Sequence, residues 1–502
     1  MGYKVSKVHA QSLPVFPGAR GYGSTTVAGR GGVVIRITNL NDSGSGSLRE
    51  AMGRSGPRII VFEVGGVIRL QSLLKITTPY VTVAGQTAPS PGITLIYDGV
   101  SVRTHDVLIQ HLSIRPGDQG NSPGDNKDGI DLASSNSSVY NVVVDHCSIS
   151  WAIDETATTW WATTHDLTFS NNIISEALQN SIHPNGAHST GMLIGDHVQK
   201  VAAIGNLLAH NDFRNPLAKN DTSSIILNNL IYNPGYAAIH FQNNENISGV
   251  MYASVVGNVI KIKPLGDRDT SDRGFGIGIA ANIKAGSKFY IQDTVSIQNN
   301  IVNPVNLYTD SSYNSSMRVN QPPSEAWLNN LTVYPSNQVE SVVLSRAGAR
   351  PWDRDSIDER IIRDVRNLTG SIIDSQNEVG GYPNPNSTYR SLDIPANPSG
   401  DSDGDGYTNI EEWIHSFETG TSVPTPTRTP TPGVPTPTRT PTPTPPACPF
   451  ASSGDFNCDN LINESDLNSL LGKWMTSVND ITGDNIVNES DLNKLLGNWK
   501  TQ

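Results

Sequence analysis

The chain is 502 residues long with a net charge of −12 and a sequence pI near 5.4, a length that requires at least two folded units with connectors. Hydrophobic residues make up 36% and charged residues 16%, enough apolar content for a large core and too little charge for wholesale disorder. The acidic balance lacks the basic footprint of a nucleic-acid binder, and no stretch reaches the roughly 20 apolar residues of a membrane-spanning helix.

At the N-terminus, Val8-His9-Ala10 has a cleavage-like pattern without the roughly 7–15-residue apolar segment that an export signal places ahead of it. From about residue 12 to 400 the pattern is strand-like. Short β-branched runs at 33–38, 59–64, 80–83, 107–114, 139–149, 167–174, 201–208, 225–231, 255–262, 295–302 and 327–333 are divided by Gly, Asn, Asp and Ser clusters, and amphipathic helices are scarce. Several runs carry one motif: Asn171-Asn172, Gly205-Asn206, Asn228-Asn229, Gly257-Asn258, Asn299-Asn300 and Asn329-Asn330. The second asparagines are 23 to 42 residues apart, as coils of a β-solenoid with loop insertions would be. Stacked amides at an inward turn bond one another up the stack. A β-sandwich would alternate polar and apolar residues, whereas 142–144 is continuously apolar. The expected fold is all-β, a parallel β-helix.

Beyond it, Asp401, Asp403, Asp405, Asn409 and Glu412 occupy positions 1, 3, 5, 9 and 12 of a calcium loop with Gly406 at its sharp turn, expected to staple the C-terminal end. Residues 421–446 hold ten prolines in Thr-Pro repeats. Proline removes the backbone donor, so this is an extended spacer of at most about 80 Å at about 3.1 Å per residue. Two further loops follow: Asp455, Asn457, Asp459, Asn463 and Asp466, then Asp480, Thr482, Asp484, Asn488 and Asp491, 25 residues on. Each runs into a near-identical amphipathic segment, at 467–474 and 492–499. A duplicated loop and helix after a Thr-Pro linker resembles a dockerin over 448–502, which implies calcium and a cohesin partner. Thr482, and Asn460 and Asn485 in place of the usual glycines, depart from the pattern. Cys448 and Cys458 are close enough in sequence to pair or to stay free, and Cys147 sits in an apolar run as a buried small residue.

Six segments of the strand region carry a second resemblance. They are Phe16-Pro17-Gly18-Ala19-Arg20-Gly21-Tyr22-Gly23, the stretch 38–51, Val83-Ala84-Gly85-Gln86-Thr87-Ala88-Pro89, Ile114-Arg115-Pro116-Gly117-Asp118, Val144-Asp145-His146-Cys147-Ser148 and Arg214-Asn215-Pro216. In that order they resemble the pectate lyase superfamily, specifically polysaccharide lyase family 1, over 12–400. The resemblance implies a right-handed parallel β-helix, secretion, and calcium-assisted β-elimination of polygalacturonate. It places the base at Arg214 and the first two calcium aspartates at Asp128 and Asp154. The third falls near Thr158, which brings no charge, so Glu155 is the expected substitute. Lys219 stands where a second substrate-binding arginine is usual, keeping the charge and losing the bidentate fork. The usual substrate lysine falls near Thr190, leaving His183 and His188 as the polar candidates. Asp145, His146, Arg20 and Arg115 are expected to be structural, while Trp160 and Trp161 are candidates for stacking on sugar rings. A polygalacturonase-type hydrolase using paired carboxylates, and a β-helix that only binds pectin, are the alternatives.

Overall fold

The computed structural model describes residues 13–243, 247–263, 275–280, 282–297, 301–307, 312–329, 331–418 and Lys494. Contacts divide the chain into Met1–Thr425 and Pro426–Gln502. The Thr-Pro spacer, both tail loops, Cys448 and Cys458 lie outside the described residues.

Among the described residues, the first unit winds through three long sheets. One has eleven parallel strands from Val33–Ile37 to Arg318–Val319, and a second has nine from Leu74–Ile76 to Val305–Leu307. The third, which includes Val64–Arg69, is parallel except for one antiparallel pair at each end. This is the expected parallel β-helix. Ile35, Ile60, Val83, Ile109, Val144, Phe169, Ala203, Ile226, Val255 and Ile291 stand in register on successive strands and form one column of the core. The run at 142–144 is apolar throughout because both faces are covered. Val142 and Val144 face the interior, while Val143 packs outward on Val15, Phe16 and Leu108.

The Asn-Asn and Gly-Asn pairs are the turn from the first sheet to the third. The first residue is left-handed, with φ +53° at Asn171, +67° at Gly205, +54° at Asn228 and +63° at Gly257. Glycine and asparagine adopt that backbone at least cost. The second residue joins a buried ladder. Asn172, Asn206 and Asn229 each donate backbone N–H and Nδ2–H to the Oδ1 of the next asparagine at 2.9–3.0 Å. The same Nδ2 groups donate to the carbonyls of Val144, Phe169 and Ala203. Cys147, buried as expected, ends the stack by donating its N–H to Asn172 Oδ1 at 2.8 Å. Asn299, Asn300 and Asn330 lie outside the described residues.

The C-terminal part differs from the sequence reading. Residues 327–333, expected as a strand, contain no strand among those described. Trp327, Leu328 and Leu331 lie against Ile225, Leu227 and Val256 on the outer face of the first sheet, so the apolar run is a cover rather than a rung. Two helices that the sequence reading passes over follow, Ser336–Arg346 and Ser356–Asn367. Their Val339, Val343, Ile361 and Val365 cover Ile173, Leu207, Leu230 and Val259 of the third sheet. The loop beginning at Asp401 leads into helix Asn409–His415, whose Ile410, Trp413 and Ile414 pack on Ile59, Val61 and Ala84, with Arg30 paired to Glu411 at 2.9 Å. The helix after that loop therefore packs the returning chain on the first coils.

Replacing Asn206 with alanine removes the acceptor of Asn172 and the donor to Phe169 O and Asn229 Oδ1 at once. Orphaned buried groups cost about 1–3 kcal/mol each, so Asn206→Ala should lower stability by at least about 2 kcal/mol. Calorimetry should show a clear fall in Tm, whereas Asn136→Ala at an exposed turn should leave it nearly unchanged.

Candidate active site

Strands Ile130–Ala133, Glu155–Trp160, Thr190–Ile194 and Leu217–Ala218 are neighbours in the second sheet. The chain reaches each of them from the third sheet through the connections 116–129, 151–154, 176–189 and 210–216. Those connections carry Asp128, Asp154, the pair His183 and His188, and Arg214. All line one groove of about 530 Å³, together with Glu155, Thr158, Trp160, Trp161 and Lys219.

Carboxylate oxygens of Asp128, Asp154 and Glu155 lie within 4.8 Å of one another. Asp128 Oδ1 also accepts the Glu155 N–H at 2.8 Å. Burial holds the Asp128 carboxyl well above the usual carboxylate range, Asp131 and Asp154 add to that, and Arg214 opposes it. Asp131 is pushed up to about 6 by burial, against the Ser101 hydroxyl that donates to it at 3.0 Å and against Arg103. Carboxylates that resist ionising together are relieved by a multivalent cation, and oxygen donors of this kind suit calcium. The residues present fit that ion. Thr158, in register with Asp131, brings a hydroxyl and no charge, and Glu155 stands in the cluster instead.

Arg214 has a left-handed backbone, φ +61°, and its carbonyl accepts the Met192 N–H at 2.6 Å. Its Nη1 donates to Glu155 Oε1 in a short contact, and its Nε is buried without a hydrogen-bond partner among the described residues. Burial lowers the guanidinium pKa, while Asp154 and Asp128 work in the opposite direction. His188 Nε2 lies 2.9 Å from Asp154 Oδ1 and His183 Nε2 lies 3.7 Å from the same oxygen, with the two rings stacked at 3.9 Å. Both histidines thus reach the acidic cluster as well as the groove. Thr190, in the expected lysine position, donates to the Asp154 carbonyl at 2.6 Å. Lys219 Nζ is 3.6 Å from Asp196 and 4.5 Å from the Trp160 ring centroid, and burial lowers its pKa. Trp161 is 46% exposed, which leaves its ring open to a ligand.

Outside the groove, Asp145 bonds His146 at 2.6 Å, Ser170 at 2.6 Å and Asn171 at 3.0 Å, a buried network between coils. Arg115 is fully buried against Asp355 and Asp358. Oxygens of Asp401, Asp403 and Asp405 form another cluster within 4.8 Å, and Asp401 accepts the N–H groups of Gly404 and Gly406 at 2.7 and 3.0 Å. Burial and these three aspartates raise the pKa of Glu412, as a loop shaped for a cation would.

The sequence reading did not assign Phe213, Tyr236 or His240 to the site, and it weighed Asp131, which alternates with Ile130, beside Asp128 without placing it among the ligands. For Asp131 and His240, which lie on strands, the available signal was the period of two, and Phe213 and Tyr236 sit in connections where it does not apply. Asp131, Thr158, Leu193, Leu217 and His240 stand in one register column on the outer face of the second sheet.

No family profile matches the chain. It is similar to a probable pectate lyase C of Aspergillus fumigatus, 31% identical over 414 residues that cover 80% of this chain and 87% of that protein. A probable pectate lyase C of Aspergillus oryzae is also 31% identical, with coverages of 82% and 96%. A solved pectate lyase from Bacillus sp. N165, in complex with trigalacturonate, is 18% identical with a TM-score of 0.45, covering 66% of this chain and 98% of that one.

The raised pKa of Asp131 has a stability consequence in metal-free protein. Its folded pKa of about 6 lies above the 3.8 of a free aspartate, so between those values the native state binds more protons than the unfolded chain. Stability therefore falls as pH rises through that window. Asp131→Asn should raise Tm in chelator at pH 7 and change it little at pH 4. A pH-independent difference in melting would contradict this reading of Asp131.

Proposed function

The chain belongs to the pectate lyase family, and on that premise we propose that it cleaves polygalacturonate by calcium-assisted β-elimination in the groove around Arg214. The observation that carries the reading is the meeting of a partly buried guanidinium with three crowded carboxylates in one groove. A lyase family gives the hydrolase and binding-only alternatives no support.

In β-elimination the C5 proton of a galacturonosyl residue leaves and the C4–O bond breaks. A C4=C5 double bond forms, and the departing oxygen takes a proton from water. Calcium held by Asp128, Asp154 and Glu155 would bind the substrate carboxylate and stabilise the enolate-like charge. Arg214 takes the C5 proton. An arginine is ordinarily always protonated, and burial moves this one in the direction a base requires. Lys219, His188 and His183 orient the uronate from the groove walls, and the aromatic face of Trp161 is open to a sugar ring.

The remaining parts extend the same reading. The enzyme acts outside the cell, a second calcium sits in the loop at Asp401, Asp403, Asp405, Asn409 and Glu412, and 448–502 is a dockerin that tethers it to a cohesin-bearing scaffold. Supporting these are the oxygen cluster at 401–405, the Thr-Pro spacer and the duplicated 12-residue loops. Among the described residues no helix is long and apolar enough to cross a membrane.

Two experiments bear on this function. Lysine keeps the charge of Arg214 but cannot set its nitrogen where the guanidinium lies, so Arg214→Lys should abolish the ultraviolet-absorbing unsaturated product and leave polygalacturonate binding largely intact. Chelator should abolish the same signal in the wild type, and turnover that survives either change would remove Arg214 or calcium from the mechanism.

The tail is tested separately. An isolated 448–502 fragment should gain helical circular dichroism with calcium and lose it with chelator, because in so small a module metal binding is folding energy. A spectrum indifferent to calcium would exclude a dockerin.

A further inference from the structure

Around the coil from the acidic groove, two adjoining pockets of about 540 and 640 Å³ share His146, Arg346 and Glu418 in their walls. Both volumes fall in the usual range of ligand sites, about 300–1,000 Å³. Strand Ser148–Ser150 separates them from the groove, since His146 precedes that strand and Asp154 follows it. Arg20 enters from the N-terminal segment, Arg346 from the end of helix Ser336–Arg346, and His146 from the turn between the first and third sheets. The larger pocket reaches Trp352, which is 38% exposed and stands 5.1 Å from His111 between ring centroids. His111 is in turn stacked on His146 at 5.1 Å.

The charges set this place apart. Among the described residues, neither Arg20 nor Arg346 is paired with a carboxylate: Arg20 donates one N–H to the Thr332 carbonyl at 3.2 Å, and Arg346 Nη1 reaches the Tyr334 hydroxyl at 3.4 Å. The cations of the groove differ, because Glu155 takes Arg214 and Asp196 takes Lys219. The two carboxylates in the pocket walls are engaged elsewhere. Asp145 is bonded to His146, Ser170 and Asn171. Glu418 Oε1 accepts the Gln86 Nε2–H at 3.1 Å and lies 3.2 Å from His111 Nε2 and 3.3 Å from His415 Nδ1. Burial lowers the Arg20 pKa, Tyr334 opposes that, and the nearby charge of Arg346 adds to it. In a chain of net charge −12, two guanidinium groups that repel one another in one pocket call for an anion between them.

Guanidinium forks fit a carboxylate, and an open indole fits the apolar face of a sugar ring. We propose that these pockets form a second, non-catalytic binding site for an acidic polysaccharide, with a uronate carboxylate between Arg20 and Arg346 and a sugar ring on Trp352. The proposal rests on the lyase reading only for the identity of that polymer as polygalacturonate; the ligand class, a sugar that carries a carboxylate, comes from these walls. No acidic cluster of the groove's kind lines them among the described residues, so a chain held here is bound and not cleaved.

The test is calorimetric titration of trigalacturonate into the calcium-loaded full chain in the Arg214→Lys background, where turnover does not consume the ligand. The expected result is two sites per chain. Adding Arg346→Ser should weaken one of them by at least about tenfold and leave the other unchanged, and Trp352→Ala should weaken the same one by at least about threefold. Binding that ignores both substitutions in folded chains overturns the proposal, and Trp352→Ala decides the matter alone if Arg346→Ser does not fold. Inorganic sulfate bound as tightly as trigalacturonate would make this a general anion site, and displacement by triglutamate at equal concentration would make it a site for an acidic peptide; either result overturns the proposal. Failure of the lyase reading shows separately, as absence of unsaturated product when the wild type meets polygalacturonate, and leaves the binding result standing.

Discussion

Parallel strands in register stand about 4.8 Å apart, and that spacing governs the rest of the molecule. It stacks like side chains from successive coils, which suits an apolar core and is costly for charges. Asp128 and Glu155 are 27 residues apart in sequence, yet the pairing that sets Ile130 against Ala157 brings their positions into line. The carboxyl groups cannot separate without breaking the sheet. The raised pKa of Asp128 follows from the scaffold, and so does the cluster's fitness for a cation.

Within that crowd Glu155 is shared. Its carboxylate belongs to the cluster with Asp128 and Asp154, and it also takes the guanidinium of Arg214. The proposed metal ligands and the proposed base are therefore not independent parts placed side by side. A charge that draws Glu155 toward the cluster draws it from Arg214, which is the direction that favours a less protonated guanidinium. His188 and His183 touch the other side of the cluster through Asp154, so each wall of the groove reaches the same set of oxygens.

How much of this the sequence showed depended on which corner of the coil a residue occupies. At the turn between the first and third sheets, geometry repeats: a left-handed residue and then a ladder asparagine. Asn206 and Asn229 were legible as a stack because that corner has no freedom in length. The connections from the third sheet to the second differ widely, and the chemistry sits there. Counting residues could not align Asp128 with Glu155 or bring His188 to Asp154; the resemblance to a known family pointed to Asp128, Asp154 and Arg214, and the contact of His188 with Asp154 came from the structure alone. The helices at Ser336–Arg346 and Ser356–Asn367 were missed for another reason. Their short apolar stripes are complete only against Ile173, Leu207, Leu230 and Val259, which come from distant coils.

Those covers explain why the groove lies where it does. Parallel sheets demand burial on both faces, and a winding coil supplies only the inner one. On the first sheet the outer face is covered by Val15 and Phe16 from the N-terminal side and by Ile410, Trp413 and Ile414 from the C-terminal side. On the third sheet the two helices do the same. Along the second sheet, the outward column of Asp131, Thr158, Leu193 and His240 meets the groove and the pocket beside it instead. The apolar segments before and after the coils thus decide the site as much as its own residues do. By closing two outer faces, they leave the third, with its polar and aromatic column, as the surface on which a long polysaccharide can lie.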